Sequence, residues 1–161
     1  MGYCSHAEGQ RTCAIGRGGH TEGYETTVED SAWYSHAEGY QTTASGTYSH
    51  AEGHTCTAAG SHSHAEGHGC KTEGAYSHAE GAYTIASGNY QHVSGKYNAS
   101  DSNKAFIIGG GSGTSTANRK NIFTIDWSGN GVFAGSVTIG TSGYGNTLPT
   151  SAKVGQIFFK I

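Results

Sequence analysis

Ten histidines and nine glutamates fall on a regular grid in this chain, and both residue types can move protons or hold metal ions. The motif Ser5-His6-Ala7-Glu8-Gly9 returns as 35–39, 49–53, 63–67 and 77–81, with degenerate copies at 19–23 and 91–95. From His36 the histidines recur at one constant interval through His50, His64, His78 and His92. Ser-His pairs suggest nucleophilic catalysis at first sight. Adjacent strand residues point to opposite faces, however, so Ser5 cannot use His6 as its base. No isolated aspartate stands ready to orient an imidazole, and a motif repeated this often suits scaffolding better than a single active site. The chain reads as a non-enzyme that needs no cofactor.

Metal binding is the alternative chemistry. If the chain forms a threefold assembly, three copies each of His36, His50, His64 and His78 approach the axis, and imidazoles suit zinc, nickel or copper. The reading adopted is a hydrogen-bonded His/Glu ladder without metal. A second group (His54, Cys56, His62, His68 and Cys70) mixes inward and outward positions and lacks Cys-x-x-Cys spacing, so it reads as coincidental. Cys56 and Cys70, one repeat apart, read as small buried thiols stacked in neighbouring coils rather than a disulfide.

The elements that position these groups follow from the glycines. A weaker copy of the motif lies halfway between, as in Thr42-Thr43-Ala44-Ser45-Gly46, so glycine returns in every heptad from Gly39 to Gly95. A coiled coil needs large apolar residues at two heptad positions, whereas these heptads fix Gly, Ala and Ser/Thr. Short strands joined by tight glycine turns remain. Two strands per pair of heptads, about 14 residues, make one coil of a parallel β-solenoid, with coils about 4.8 Å apart. The residues two and four before each glycine, among them Ala7, Ala37, Ala44, Ala51, Ala58, Ala65, Ala79 and Ala86, face a thin interior of small side chains. Such an interior contributes only a few kcal/mol per coil at about 25 cal/mol per Å², so partner chains are expected.

Internal variation indicates which face meets them. One half-coil keeps its outer residues nearly constant: His6/Glu8, His20/Glu22, His36/Glu38, His50/Glu52, His64/Glu66 and His78/Glu80. In the other half-coil the outer residues drift: Cys13/Ile15, Thr43/Ser45, Thr57/Ala59, Lys71/Glu73 and Ile85/Ser87. A repeated symmetric contact tolerates less drift than a solvated surface, which places the His/Glu ladder against neighbouring chains. Protonation of these histidines near pH 6 would set positive charge beside the glutamates, so acid is expected to matter.

The pattern Ala-x-Gly-x-x-Ser/Thr-x-Ala-x-Gly, as in 37–46, resembles the head repeat of trimeric autotransporter adhesins, the YadA-like heads. The SHAEG form, together with GKYN (95–98), NIFTIDWSGNGVFAGSVTIG (121–140) and TLPTSAKVGQIFFKI (147–161), is similar to tail-fibre proteins of phages and prophages. The resemblance implies an all-β fold, a left-handed parallel β-roll wound as a homotrimer. It implies a structural or receptor-binding segment of a tail fibre, on the virion tail or outside the cell. Such a segment attaches to a host cell-surface receptor, with a glycan among the candidates. The head of a bacterial surface adhesin is the alternative, and a glycan-degrading tailspike a third reading. The adhesins carry Val and Ile where this chain has His and Glu, so a polar axis is this chain's own departure.

Composition divides the chain near Tyr97, into a β-roll at 3–97 and a C-terminal β cap at 98–161. All histidines and glutamates precede that point, and all five phenylalanines follow it. The cap's expected strands are 106–108, 122–127, 132–139 and 157–159, with a turn at Ser128-Gly129-Asn130-Gly131 and a flexible loop at 109–116. Neither part carries the Lys/Arg stripe of a nucleic-acid binder, and no apolar run is long enough to span a membrane. The opening residues do not read as a signal peptide. Met1-Gly2 enters a repeat directly, as in a fragment of a longer protein.

For ligand binding, Trp33, Tyr48, Tyr76, Tyr83, Tyr90 and Tyr97 are the candidate surface. The five tyrosines each follow a glycine by two positions and read as one stripe. Gly23 and Gly39 stand two positions further apart than a pair of heptads allows, so 28–33 reads as a bulged loop presenting Trp33.

Overall fold

The structure, a computed structural model, describes residues 2–135. Strands β1 (His6–Gln10), β3 (His20–Tyr24), β5 (His36–Tyr40), β7 (His50–Ala51), β9 (His64–His68), β11 (His78–Ala82) and β13 (His92–Lys96) pair in parallel, each with the next. The two-residue strands β2 (Cys13–Ala14), β4 (Thr27–Val28), β6 (Thr43–Ala44), β8 (Thr57–Ala58), β10 (Lys71–Thr72) and β12 (Ile85–Ala86) make a second parallel sheet. The chain alternates between the two, one strand in each per coil. This is the β-solenoid, two heptads to the coil, that the glycine spacing predicts.

Register is set by like residues: His36 pairs with His50, His50 with His64 and His64 with His78. The interior is a set of columns. Ala37, Ala51, Ala65, Ala79, Val93 and Ile107 line one sheet, and Ala14, Val28, Ala44, Ala58, Thr72 and Ala86 line the other, all fully buried. Some buried hydroxyls bond locally, Ser63 and Ser77 donating to the carbonyls of Gly60 and Gly74 at 2.6 Å, whereas those of Thr21, Thr26 and Ser49 have no partner among the described residues. Cys56 and Cys70 are free, buried and stacked in neighbouring coils. The adjacent Cys70 thiol, with burial adding to it, pushes the Cys56 thiol up.

The turns differ from the expectation that glycine alone supplies positive φ. Glycines ending the His-x-Glu strands do so, as at Gly39 (φ 102°) and Gly53 (φ 95°), where a Cβ would also collide with the carbonyl of the next coil's glycine. Non-glycine residues also sit in the left-handed region, two positions after a heptad glycine whether or not that glycine does: Gln41 (φ 53°), Tyr48 (φ 58°), Thr55 (φ 56°) and His62 (φ 57°). Their N–H groups bond to the preceding coil, as Tyr48 N–H does to Trp33 O at 2.8 Å and Thr55 N–H to Tyr40 O at 2.8 Å. That ladder holds a conformation that costs an L-residue about 1–2 kcal/mol.

Beyond Tyr97 the first sheet continues without a break. β14 (Lys104–Gly110) pairs in parallel with β13, and the antiparallel strands β15 (Asn121–Asp126) and β16 (Gly131–Phe133) follow. Gly109 and Gly110 are thus strand residues rather than loop, paired opposite Gly95 and Lys96, and a short 3-10 turn covers Thr116–Asn118. Asp126 closes the turn at 128–130 by accepting from the N–H groups of Ser128 and Asn130, both at 2.9 Å. The expected strand at 157–159 and the latter half of the one at 132–139 lie outside the described residues.

Near the end of the roll, larger amides replace the small hydroxyls. Gln91 Nε2 donates to Lys104 O at 2.6 Å, and Asn98 bridges the Ile85 backbone at 2.7 and 3.0 Å. Arg119 donates to the carbonyls of Tyr83 at 2.8 Å and Asn98 at 3.1 Å, tying the following segment to the last full coil.

Thr55 is β-branched in a left-handed position that Gly69 fills one coil later. Thr55→Gly is expected to raise stability by about 1 kcal/mol, and Gly53→Ala to lower it by about 2 kcal/mol or more. Urea melts of the two variants check both signs.

Candidate functional site

In-register parallel pairing converts the repeated His-x-Glu into two columns on the outer face of the larger sheet. From His20 through His36, His50 and His64 to His78 the imidazoles stack at centroid spacings of 4.6, 4.8, 4.7 and 5.0 Å, with ring planes within 5° of parallel. His6 is tilted at one end and His92 is edge-on at the other. From Glu38 on, each ladder glutamate reaches the histidine of the next coil: Glu38–His50 at 3.4 Å, Glu52–His64 at 3.2 Å, Glu66–His78 at 3.1 Å and Glu80–His92 at 3.6 Å, whereas Glu8 lies 3.5 Å from His6 of its own coil. These side chains are about one-third exposed in the single chain, as for His64 (35%) and Glu52 (32%). Glu8, Glu22 and Glu38, with Gly9, Gly23 and Gly39, line an open groove at the ladder's N-terminal end.

The column does not stop with the histidines. Phe106 stacks beneath His92 at 5.1 Å, Phe123 meets Phe106 edge-on at 6.2 Å, and Phe133 packs on Phe123 at 4.5 Å. The composition change near Tyr97 therefore alters the chemistry of one continuous face from polar to apolar. Composition alone assigns these phenylalanines to a separate cap. The signal that could have found them is positional, since Phe106 follows His92 at the same interval that separates the histidines.

The aromatic stripe divides in two. Tyr34, Tyr48, His62, Tyr76 and Tyr90 form one column at the turn after the short strands. Tyr24, Tyr40, His54, His68, Tyr83 and Tyr97 form another at the turn after the long ones. Successive glycines of the heptad belong to opposite turns of the coil, so Tyr83 and Tyr97 leave the column of Tyr48, Tyr76 and Tyr90. Stacking also changes what the tyrosines offer. Tyr76 and Tyr90 lie 5.0 Å apart and 3° from parallel, so their edges and hydroxyls face out while their inner π-faces are covered.

Trp33 stands apart from both columns and is 52% exposed. The two extra residues of its coil are confined to the turn around Asp30 and Ser31, a smaller bulge than the sequence suggests. Val28 belongs to β4 and is fully buried, as is Ala32, which takes the place that Gly46 holds in the next coil. Thr47 Oγ1 donates to Ser31 O at 2.9 Å and fixes the bulge beside Trp33, an exposed indole outside both columns, as Trp127 also is.

Burial holds the His36 and His50 imidazoles below the ordinary histidine range, helped by the neighbouring imidazoles and opposed by Glu38. The unfolded chain then binds protons more readily than the folded one. The associated stability is full above pH 6.5, the ordinary value, and is lost as the pH falls below it. Thermal melts are expected to give a lower Tm at pH 5 than at pH 7.5, with a smaller difference in His50→Gln. Equal melting at both pH values in the parent chain would contradict this.

No helix among the described residues is long and apolar enough to cross a membrane. Comparisons with protein-family models, with curated proteins and with solved structures found no match to this chain.

Proposed function

We propose that the chain is a homotrimeric structural and receptor-binding segment of a phage-type tail fibre, wound as a left-handed roll, acting outside the cell and without catalysis. One observation carries this reading: the roll's interior consists of small side chains, while one face bears an uninterrupted aromatic column from His6 to Phe133. A roll with so little apolar area inside gains most from burying a face outside. The ladder face suits that role because its residue types persist while those of the opposite half-coil drift.

In this arrangement the ladder meets the neighbouring chains, and the turns that carry Trp33 and the tyrosine columns remain at the periphery. Trp33 is the anchor for a host-surface ligand, a glycan being the class that an exposed indole serves well. The Ala-x-Gly repeat also suits the head of a bacterial surface adhesin, which would share the trimer and the peripheral ligand surface. A stalk or membrane anchor elsewhere in the gene would point to the adhesin, and neighbouring tail genes to the phage.

Light scattering at micromolar concentration is expected to return three times the 16.7 kDa chain mass. A folded single chain at that dilution would overturn the proposal. Trp33→Ala is expected to weaken attachment to host cells about tenfold or more while leaving the mass unchanged. Incubation with host polysaccharide is expected to release no fragments.

A further inference from the structure

The His/Glu face also holds donors suited to a metal ion. Within one chain, His36/Glu38/His50, His50/Glu52/His64 and His64/Glu66/His78 each bring three candidate ligand atoms within 4.8 Å of one another, and His6/Glu8/His20 does the same at the N-terminal end. Two imidazoles and a carboxylate are a zinc-type donor set, whereas calcium and magnesium prefer oxygen alone. The imidazole-to-carboxylate separations of 3.4, 3.2 and 3.1 Å in Glu38–His50, Glu52–His64 and Glu66–His78 match the ligand-to-ligand edge of a tetrahedron with bonds of about 2.0–2.1 Å. The Nε2 atoms of His36 and His50 are shielded from solvent and make no well-formed hydrogen bond.

We propose that this face binds divalent transition metal ions, zinc foremost, at alternate His-Glu-His sets along the ladder. The alternation follows from the imidazole itself. A neutral ring has one lone pair to give, since its other nitrogen carries the proton. His50 and His64 each belong to two sets, so each can serve only one ion. The rings stack nearly parallel at 4.7–4.8 Å, and His50 must tilt toward His36 to close one set, which turns it away from His64. Full loading is therefore His36/Glu38/His50 together with His64/Glu66/His78, plus the N-terminal set, for three ions per chain. Every donor comes from one chain, so the inference does not rest on the trimer. The ions would brace one coil to the next and stabilise the folded roll by mass action.

The test is zinc retained by the full chain after equilibration at pH 7.5 and gel filtration, measured by elemental analysis, with folding of each variant confirmed by circular dichroism. The parent is expected to hold three ions per chain, and His50→Gln or His64→Gln two. Two double variants remove equal numbers of histidines but predict different counts. His50→Gln with His64→Gln leaves one ion, whereas His36→Gln with His78→Gln leaves two, because His50/Glu52/His64 becomes available. Glu66→Gln, which leaves every imidazole in place, is expected to hold two, and serves if a histidine variant misfolds. Equal counts in the two double variants, counts in steps of one third per chain as for ions shared on a threefold axis, or no retained zinc would each overturn the proposal. Zinc is also expected to raise the parent's Tm above its value in chelator, with a smaller rise in His50→Gln/His64→Gln.

Discussion

Apart from the insertion at Asp30 and Ser31, the strand residues of the roll sit directly above the same position of the coil before, and that vertical constraint governs the rest. Parallel coils in register lie about 4.8 Å apart. At that spacing flat rings stack well and hydroxyls reach carbonyls, but like charges repel. Imidazole suits the column because its flat ring stacks at this spacing, and at His36 and His50 burial lowers the pKa, which disfavours the charged form there. The glutamate column is relieved by offset, the carboxylates of Glu38, Glu52 and Glu66 lying beside the imidazole of the following coil. In the second sheet the charged pair Lys71–Glu73, at 2.8 Å, occupies a single coil, with Thr57 and Ile85 as the partners of Lys71 above and below.

The same constraint explains the corners. A left-handed turn residue is costly unless something repays it, and from Glu25 onward every such non-glycine residue donates its N–H to the coil before. At the turn after the short strands the left-handed residues Tyr34, Tyr48, His62, Tyr76 and Tyr90 are themselves the column of rings, while at the opposite turn only Tyr83 and Tyr97 combine the two roles. The columns then fix how the roll presents itself at its edges, with hydroxyls and ring edges outward and Trp33 left unstacked.

The thin interior was legible in the residues because Ala, Ser and Gly at fixed spacing admit few other packings. The His-x-Glu face was legible for the same reason, since strand alternation alone puts His50 and Glu52 together on the outside. Positive φ at Tyr48 and Thr55 was not legible, because glycine's tolerance draws attention to Gly46 and Gly53, yet Gly46 does not use it and Gly53 shares it with a residue two positions later. The division of the tyrosines was hidden by the heptad, which makes opposite turns look equivalent. Phe106 was masked by the change in composition around it, and Arg119 reaches Tyr83 across 36 positions of sequence, a contact no local pattern could announce.

The lock formed by Gln91 and Asn98 gives the molecule a direction. The interior hydroxyls of a middle coil are interchangeable with those of its neighbours, while these two amides fit only the junction with β14. A segment from Gly39 to Glu52 could therefore be duplicated or deleted by unequal recombination without disturbing either end, changing the roll's length by one strand spacing each time. Length, in such a molecule, is a quantity evolution can adjust in whole steps while both ends stay as they are.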